Sequence, residues 1–227
     1  MAARALFLHE VVDVVGRAGA AYMAHVQGFD ADATAARGLA LVGTWEVVGT
    51  TGRWPQVVNV WELDGWDGWA RLAQRTNVAK AANAELAEWW DEAHRFRTGG
   101  FDRLLAGAPG CPTRASLAAD RVQGSWFVHE LSEVRPGAGA EYLAATREQR
   151  VPAMAERGIA LVGLYDAVLT DTEVCTIWAT DVATHTALLR DGDPWPAIAR
   201  QWCTRWREEL MTPGAGSPLA APQEETP

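Results

Sequence analysis

The seven residues Arg37-Gly-Leu-Ala-Leu-Val-Gly43 return, with one Leu-to-Ile change, as Arg157-Gly-Ile-Ala-Leu-Val-Gly163. Sliding the chain against itself keeps this register without a gap from Leu6/Trp126 to Gly49/Leu169, and roughly eighteen of the paired positions are identical. Self-similarity at a fixed offset marks a duplicated architecture. Other paired landmarks are His9-Glu10 with His129-Glu130 and Tyr22 with Tyr142. Trp61 pairs with Trp178 at a slightly smaller offset, so the hairpins between these landmarks differ in length. The 227 residues thus divide into two units of about 100 residues each. The expected boundaries are 1–106 and 124–212, with a Pro- and Gly-containing linker at 107–123.

Each unit spells the same order of elements. Residues 5–13 are β-rich and apolar on both faces, as in a central, doubly covered strand. A helical stripe through Ala18, Tyr22 and Val26 comes next, with a further turn expected at 32–37. Strands are expected at 39–48 and 56–63, joined by the turn residues 49–52. Asp64 is positioned to cap a helix at 66–75 and Asn77 a second one running to about residue 97. A last strand is read at 101–105. In the second unit, strands are read at 125–133, 159–169 and 173–180, a helix at 137–157, and Asp181 as the cap of the next helix. Trp202 and Trp206 read as a helix stripe, with a short strand at 209–211. The order is βαββαβ, the ferredoxin-like unit. Neither unit can leave one sheet face bare, so the expected fold is α+β: two tandem ferredoxin-like repeats packed sheet to sheet as an intrachain dimeric α+β barrel. Residues 213–227 carry Pro, Gly and acid without an apolar period and read as a disordered tail.

Charge and composition exclude several partners. A formal charge of −9 and a pI near 5.0 leave little to neutralise phosphates, so neither nucleic acid nor an anionic membrane surface is expected. Lys80 is the only lysine, which reads as a G+C-rich coding bias. Cys111, Cys175 and Cys203 are widely spaced and form no C-x-x-C pair, so neither a disulfide framework nor a zinc motif is read. No signal peptide and no membrane span is read, and a cytoplasmic location is expected.

Several short stretches are similar to the NIPSNAP family. Val128-His-Glu-Leu131 leads to Arg135-Pro-Gly137, then to Arg157-Gly158 and Leu161-Val-Gly163, and a later strand ends near Trp178. The first half keeps Leu8-His-Glu-Val11, Arg37-Gly38 and Leu41-Val-Gly43, but Gly16-Arg17 replaces the Pro-Gly turn. The resemblance implies the dimeric α+β barrel superfamily, with the second subunit supplied by the duplication. That superfamily also holds cofactor-free monooxygenases, polyketide cyclases, muconolactone isomerase and haem enzymes, so the fold does not select a chemistry.

His9 and Glu10 are strand neighbours, so one faces the barrel seam and the other the helices, and the same holds for His129 and Glu130. They read either as hydrogen-bonded core groups or as a pocket acid or base. His25 and His94 have no histidine counterpart in the second half, nor His185 in the first. With twelve tryptophans in the chain, an aromatic-lined cavity for a small apolar ligand is expected. The leading expectation is a cofactor-independent acid–base enzyme, of isomerase, cyclase, lyase or oxygenase type, acting on a small, apolar, cyclic metabolite. His9 is the preferred acid or base, with Tyr22, Asn59 and His94 as orienting donors. Trp45 and Trp61 are the expected walls, and His25, His129 and Trp178 further contacts. Neither a metal nor a cofactor is expected. Two alternatives stay open: a non-catalytic small-molecule-binding or interaction barrel, and a haem protein using His25, His94 or His185 as axial ligand. A homo-oligomer is also left open.

Overall fold

A computed structural model describes residues 4–28, 37–78 and 84–222. The first repeat contains strands β1 (Leu6–Val14), β2 (Leu39–Val47), β3 (Gln56–Leu63) and β4 (Arg97–Gly107). Its helices are α1 (Gly19–Gln27), α2 (Gly65–Ala73) and α3 (Ala84–Ala93). A helix α4 (Arg114–Ala119) joins it to the second repeat, whose strands are β5 (Trp126–Val134), β6 (Ala160–Ala167), β7 (Glu173–Thr180) and β8 (Cys203–Pro213). Its helices are α5 (Gly139–Ala145), α6 (Val151–Ala155), α7 (Val182–Asp191) and α8 (Trp195–Ala199). The turn expected at 32–37 lies outside the described residues except for its end, and so does the start of the helix expected after Asn77.

All eight strands close one antiparallel barrel in the order β1-β3-β2-β8-β5-β7-β6-β4. Within each repeat the central strand is paired along its whole length, as Leu6↔Leu63 to Asp13↔Gln56 and Trp126↔Thr180 to Glu133↔Glu173 show. The repeats meet along two short seams, Trp45↔Pro213 to Val47↔Met211 and Leu105↔Ala167 to Gly107↔Tyr165. Closing the sheet on itself leaves no open edge. The helices pack on the outside.

The duplicated heptad has a steric purpose. Its Arg-Gly step turns the chain at Gly38 (φ +72°) and Gly158 (φ +79°), in the left-handed region where a side chain is disfavoured. Its Val-Gly step sits on a bulge between Leu41 and Gly43, and again between Leu161 and Gly163. A Cβ on Gly43 would stand 2.2 Å from the Trp45 ring, and one on Gly163 2.0 Å from the Tyr165 ring. Each glycine is the gap into which a large aromatic folds inside the barrel.

Several expectations are corrected. Trp206 lies on β8, which is a strand from Cys203 onward, and β4 begins at Arg97 instead of Phe101. Asp64 occupies the N-cap position of α2 without capping it; its carboxylate is paired with Arg71 at 2.6 Å. Asp181 does cap α7, accepting from the Thr184 amide at 2.8 Å. The tail is no free coil over residues 213–222. Gly124 bridges Ala220, Ser217 Oγ accepts from the Thr44 amide at 3.1 Å, and Leu219 is buried in the barrel interior. The linker also folds: Thr113 and Ser116 form a reciprocal capping box, and Leu117 reaches the same interior cluster. Leu117 and Leu219 together fill the barrel end at the start of β1 and β5.

Candidate active site

Alternation along β1 decides which side chains go where. Phe7 and Val11 belong to the interior cluster, so His9 between them points inward. Leu8, Glu10 and Val12 point out toward the helices. The duplicate strand β5 repeats this with Phe127 and His129 inside. His9 and His129 meet on the barrel axis, Nε2 to Nε2 at 3.1 Å, and both are fully buried. Burial, then the neighbouring His129 and Arg103, hold the His9 imidazole well below its ordinary range. The cross-strand partners of these histidines differ in charge: Arg103 opposite His9 and Glu209 opposite His129. Glu209 Oε1 accepts from His129 Nδ1 at 2.9 Å. Arg103 crosses to the second repeat and pairs with Glu173 at 3.0 Å.

A cavity of about 280 Å³ lies outside the sheet of the first repeat, beneath its helices. That is near the lower end of the roughly 300–1,000 Å³ of small-molecule sites. Trp61, Trp69, Trp89 and Trp90 line it together with Leu8, Leu39, Leu72 and Leu104. The polar side chains on its wall are Glu10, Arg37, Thr76 and Asp102, and Arg103 borders it from the strand while its side chain shares the inner face with His9. Glu10 is half-buried and held from two sides: Oε2 accepts from Trp61 Nε1 at 2.8 Å and from Asn59 Nδ2 at 3.1 Å. Thr44 Oγ1 donates to Asn59 Oδ1 at 2.7 Å, fixing which way the amide faces. The Tyr22 hydroxyl sits against Asn59 and Arg97. Glu10 and Asp102 are cross-strand partners in the β1–β4 register, so their carboxyls share one face. Burial, then the charge of Asp102, raises the Glu10 pKa against the pull of its two hydrogen bonds. Burial likewise raises Asp102.

The equivalent space in the second repeat is filled. Thr146–Arg150 forms a wide π turn between α5 and α6, and Arg150 at its end points inward with its side chain 2 % exposed. It pairs with Glu130, the duplicate of Glu10, and with Asp193 at 3.1 Å. The guanidinium lies between the Trp178 and Trp195 rings, 5.6 and 5.5 Å from their centroids. Thr176, the duplicate of Asn59, donates to Glu130. The position matching Arg150 in the first repeat, residue 30, lies outside the described residues.

The expected site residues therefore separate. Asn59, Trp61 and Tyr22 gather around Glu10. His9, His129 and Trp45 are in the barrel interior and do not border the cavity; Trp45 packs on Phe127 at 5.3 Å between centroids. On the cavity wall, Glu10 stands where His9 was expected, because the strand's alternation turns the histidine away from the helices. Trp178 is sealed beneath Arg150. His94 is exposed, and its ring lies 6.0 Å from Trp90. His25 stacks on Trp89 at 4.8 Å, and its Nε2 is engaged at 3.2 Å with the Trp89 carbonyl. His185 is buried in the other repeat, 4.0 Å from Glu208. None of these three borders the cavity, so none is placed to ligate a haem held there. Arg37, Asp102 and Arg103 were not expected at the site. Arg37 is signalled by its recurrence as Arg157, and the other two by adjacent charges within an otherwise apolar strand.

The fold and the sheet-to-helix cavity define a protein with the dimeric α+β barrel fold, here made by one duplicated chain. No family model and no curated protein matches the sequence. Among solved structures, the chain is similar to a protein provisionally named a monooxygenase from Fusobacterium nucleatum, with TM-score 0.61, 11% identity and 94% of each chain covered. A second provisionally named monooxygenase, from Lactobacillus acidophilus, matches with TM-score 0.60 and 10% identity, over 94% of this chain and 99% of that one. A protein provisionally named a chlorite dismutase matches with TM-score 0.53 and 13% identity, over 92% and 95%. At these identities the likeness establishes the fold. Among the described residues, no helix is long and apolar enough to cross a membrane.

Proposed function

We propose that the protein is a cofactor-independent acid–base enzyme acting on a small, apolar, cyclic molecule bound in the Trp-lined cavity of the first repeat. The observation that carries this reading is Glu10: a carboxyl with a raised pKa, oriented by Asn59 and Trp61, on the wall of an apolar cavity. Two neighbouring carboxyls with raised pKa values resist ionising together, so one of Glu10 and Asp102 carries a proton while the other accepts one. The ionised member takes a proton from an activated C–H or O–H of the ligand, and the protonated member returns one at a second position. Arg37, at the cavity wall, offers its cation to the oxyanion that forms. The tryptophans exclude water and hold the ring. An oxygenase variant of this chemistry agrees with the provisional names of the two structural neighbours, a fold-level analogy. The short motifs shared with the NIPSNAP family support reading the chain as a diverged, duplicated relative of that family.

The test begins with a panel of cyclic ketones, phenols and quinols, screened by tryptophan fluorescence quenching. Bound compounds are then incubated in deuterium oxide and followed by mass spectrometry and oxygen uptake. Solvent deuterium should enter the ligand, or oxygen be consumed, and Glu10→Gln should slow this by about 10²–10⁴-fold while leaving binding intact. Glu130→Gln should leave the rate unchanged. Tight binding with no exchange and no turnover in the unmodified protein would identify a binding module instead.

A further inference from the structure

The barrel axis collects ligating side chains from both repeats at a place the proposed reaction does not use. A ring nitrogen of His9, a ring nitrogen of His129 and Sγ of Cys175 all lie within 4.8 Å of one another, and all three residues are buried. Glu209 holds His129 through Nδ1 at 2.9 Å. A carboxylate behind a histidine fixes the tautomer and leaves Nε2 with its lone pair forward, as in the outer shell of metal sites. The facing Nε2 of His9 stands 3.1 Å away, within about half an ångström of the roughly 3.5 Å that two nitrogens about 2.0 Å from one three-coordinate ion would take. His9 Nδ1 has no hydrogen-bond partner among the described residues, so that imidazole is not fully used by the fold. The pseudo-symmetry is broken at the third member, since Val58 takes the place of Cys175 in the first repeat. Cys175 also lines a cavity of about 270 Å³ at the barrel end where β1 and β5 finish, which gives the thiol a route to solvent.

We propose that His9, His129 and Cys175 form a binding site for one thiophilic monovalent cation, cuprous copper in charge and ligand preference. Two imidazoles and one thiolate are a soft, three-coordinate set. Zinc asks for four ligands, and Glu209 is committed behind His129. One thiolate and one monovalent ion sum to zero, so loading adds no net charge to the dry core. On loading, the Cys175 S–H gives up its proton, which leaves through the cavity to solvent as the S–Cu bond forms. No change of oxidation state is involved.

The test is an anaerobic titration of the whole chain with cuprous ion against a chromophoric cuprous chelator. One equivalent should be withdrawn from the chelator, with a thiolate-to-copper charge-transfer absorption in the ultraviolet and a raised melting temperature. Cys175→Ala leaves Cys111 and Cys203 in place and should lose the equivalent and the absorption, with circular dichroism confirming the fold. His9→Leu should weaken binding at least tenfold. Full retention of the equivalent in Cys175→Ala would assign copper to the other thiols and overturn the proposal, as would no withdrawal by the unmodified protein. Equal withdrawal by the unmodified protein and His9→Leu would overturn it as well.

Discussion

Arg150 closes onto Glu130, and that ion pair separates two halves that otherwise copy one another. Its cation stands where the first repeat keeps a cavity, and the duplicate carboxylate, Glu10, is held instead by an amide and an indole. The second repeat has spent this space on structure. Truncation by Arg150→Ala should therefore cost about 3–5 kcal/mol, since it strands Glu130 without its cation. Combining Arg150→Met with Glu130→Gln should recover most of the loss, because both charges then go together. Urea denaturation of the parent and the two variants checks this; an Arg150→Ala protein as stable as the parent would mean water reaches Glu130.

Glu208 gives a pH signature on the same side of the molecule. Burial, then repulsion from Glu130, raises its pKa from 4.5 to about 7. A carboxyl raised on folding binds its proton more tightly in the native state, so this group favours folding at low pH. Its contribution declines as the pH rises from about 4.5 to about 7, by up to roughly 3 kcal/mol for a shift of this size. Glu208→Gln should therefore stabilise the protein at pH 8 and hardly alter it at pH 4.5. Denaturation curves at the two pH values decide; an equal effect at both would refute the shift.

The glycine–aromatic pairs predict an asymmetric rescue. Gly43→Ala places a methyl 2.2 Å from the Trp45 ring and should destabilise by about 1–3 kcal/mol through overpacking. With Trp45→Leu already present, the same Gly43→Ala change should cost much less. Thermal melts of the double-mutant cycle give the coupling energy, and additivity would show that the ring moves aside freely.

Leu219 anchors the end of the described chain on the barrel. It is 4 % exposed among interior residues, so Leu219→Ala should cost about 2–5 kcal/mol. A loss below about 0.5 kcal/mol, typical of surface positions, would return residues 213–222 to the free coil expected from composition.

Much of the fold is legible because it repeats. The heptad at Arg37 and Arg157, the His-Glu pairs and the βαββαβ order leave few arrangements other than a barrel of two halves. The neighbourhood of Asn59, Trp61 and the first strand also follows from the ferredoxin-like strand order. What the sequence hides is the sense of alternation. A shift of one residue exchanges His9 for Glu10, and strand periodicity alone does not say which face the helices cover. Trp202 and Trp206 mislead for a related reason: their spacing of four suits one helix face, but Trp202 ends a turn and Trp206 stands on β8. Leu219 docks as a single side chain, and one residue has no period to detect. The filled pocket depends on Arg150, a residue on a π turn whose direction no helical wheel predicts.

The duplication also freed the barrel axis from a rule that binds every symmetric dimer. Where two identical chains meet on a two-fold axis, each axial residue faces its own copy, so a cation there must face a cation. Here Arg103 lies beside one central histidine and Glu209 beside the other. Opposite charges at equivalent positions polarise the His9–His129 pair, and they require two halves that differ in sequence. The core thus has a direction, with a basic side and an acidic side, that a two-fold assembly of identical chains could not have.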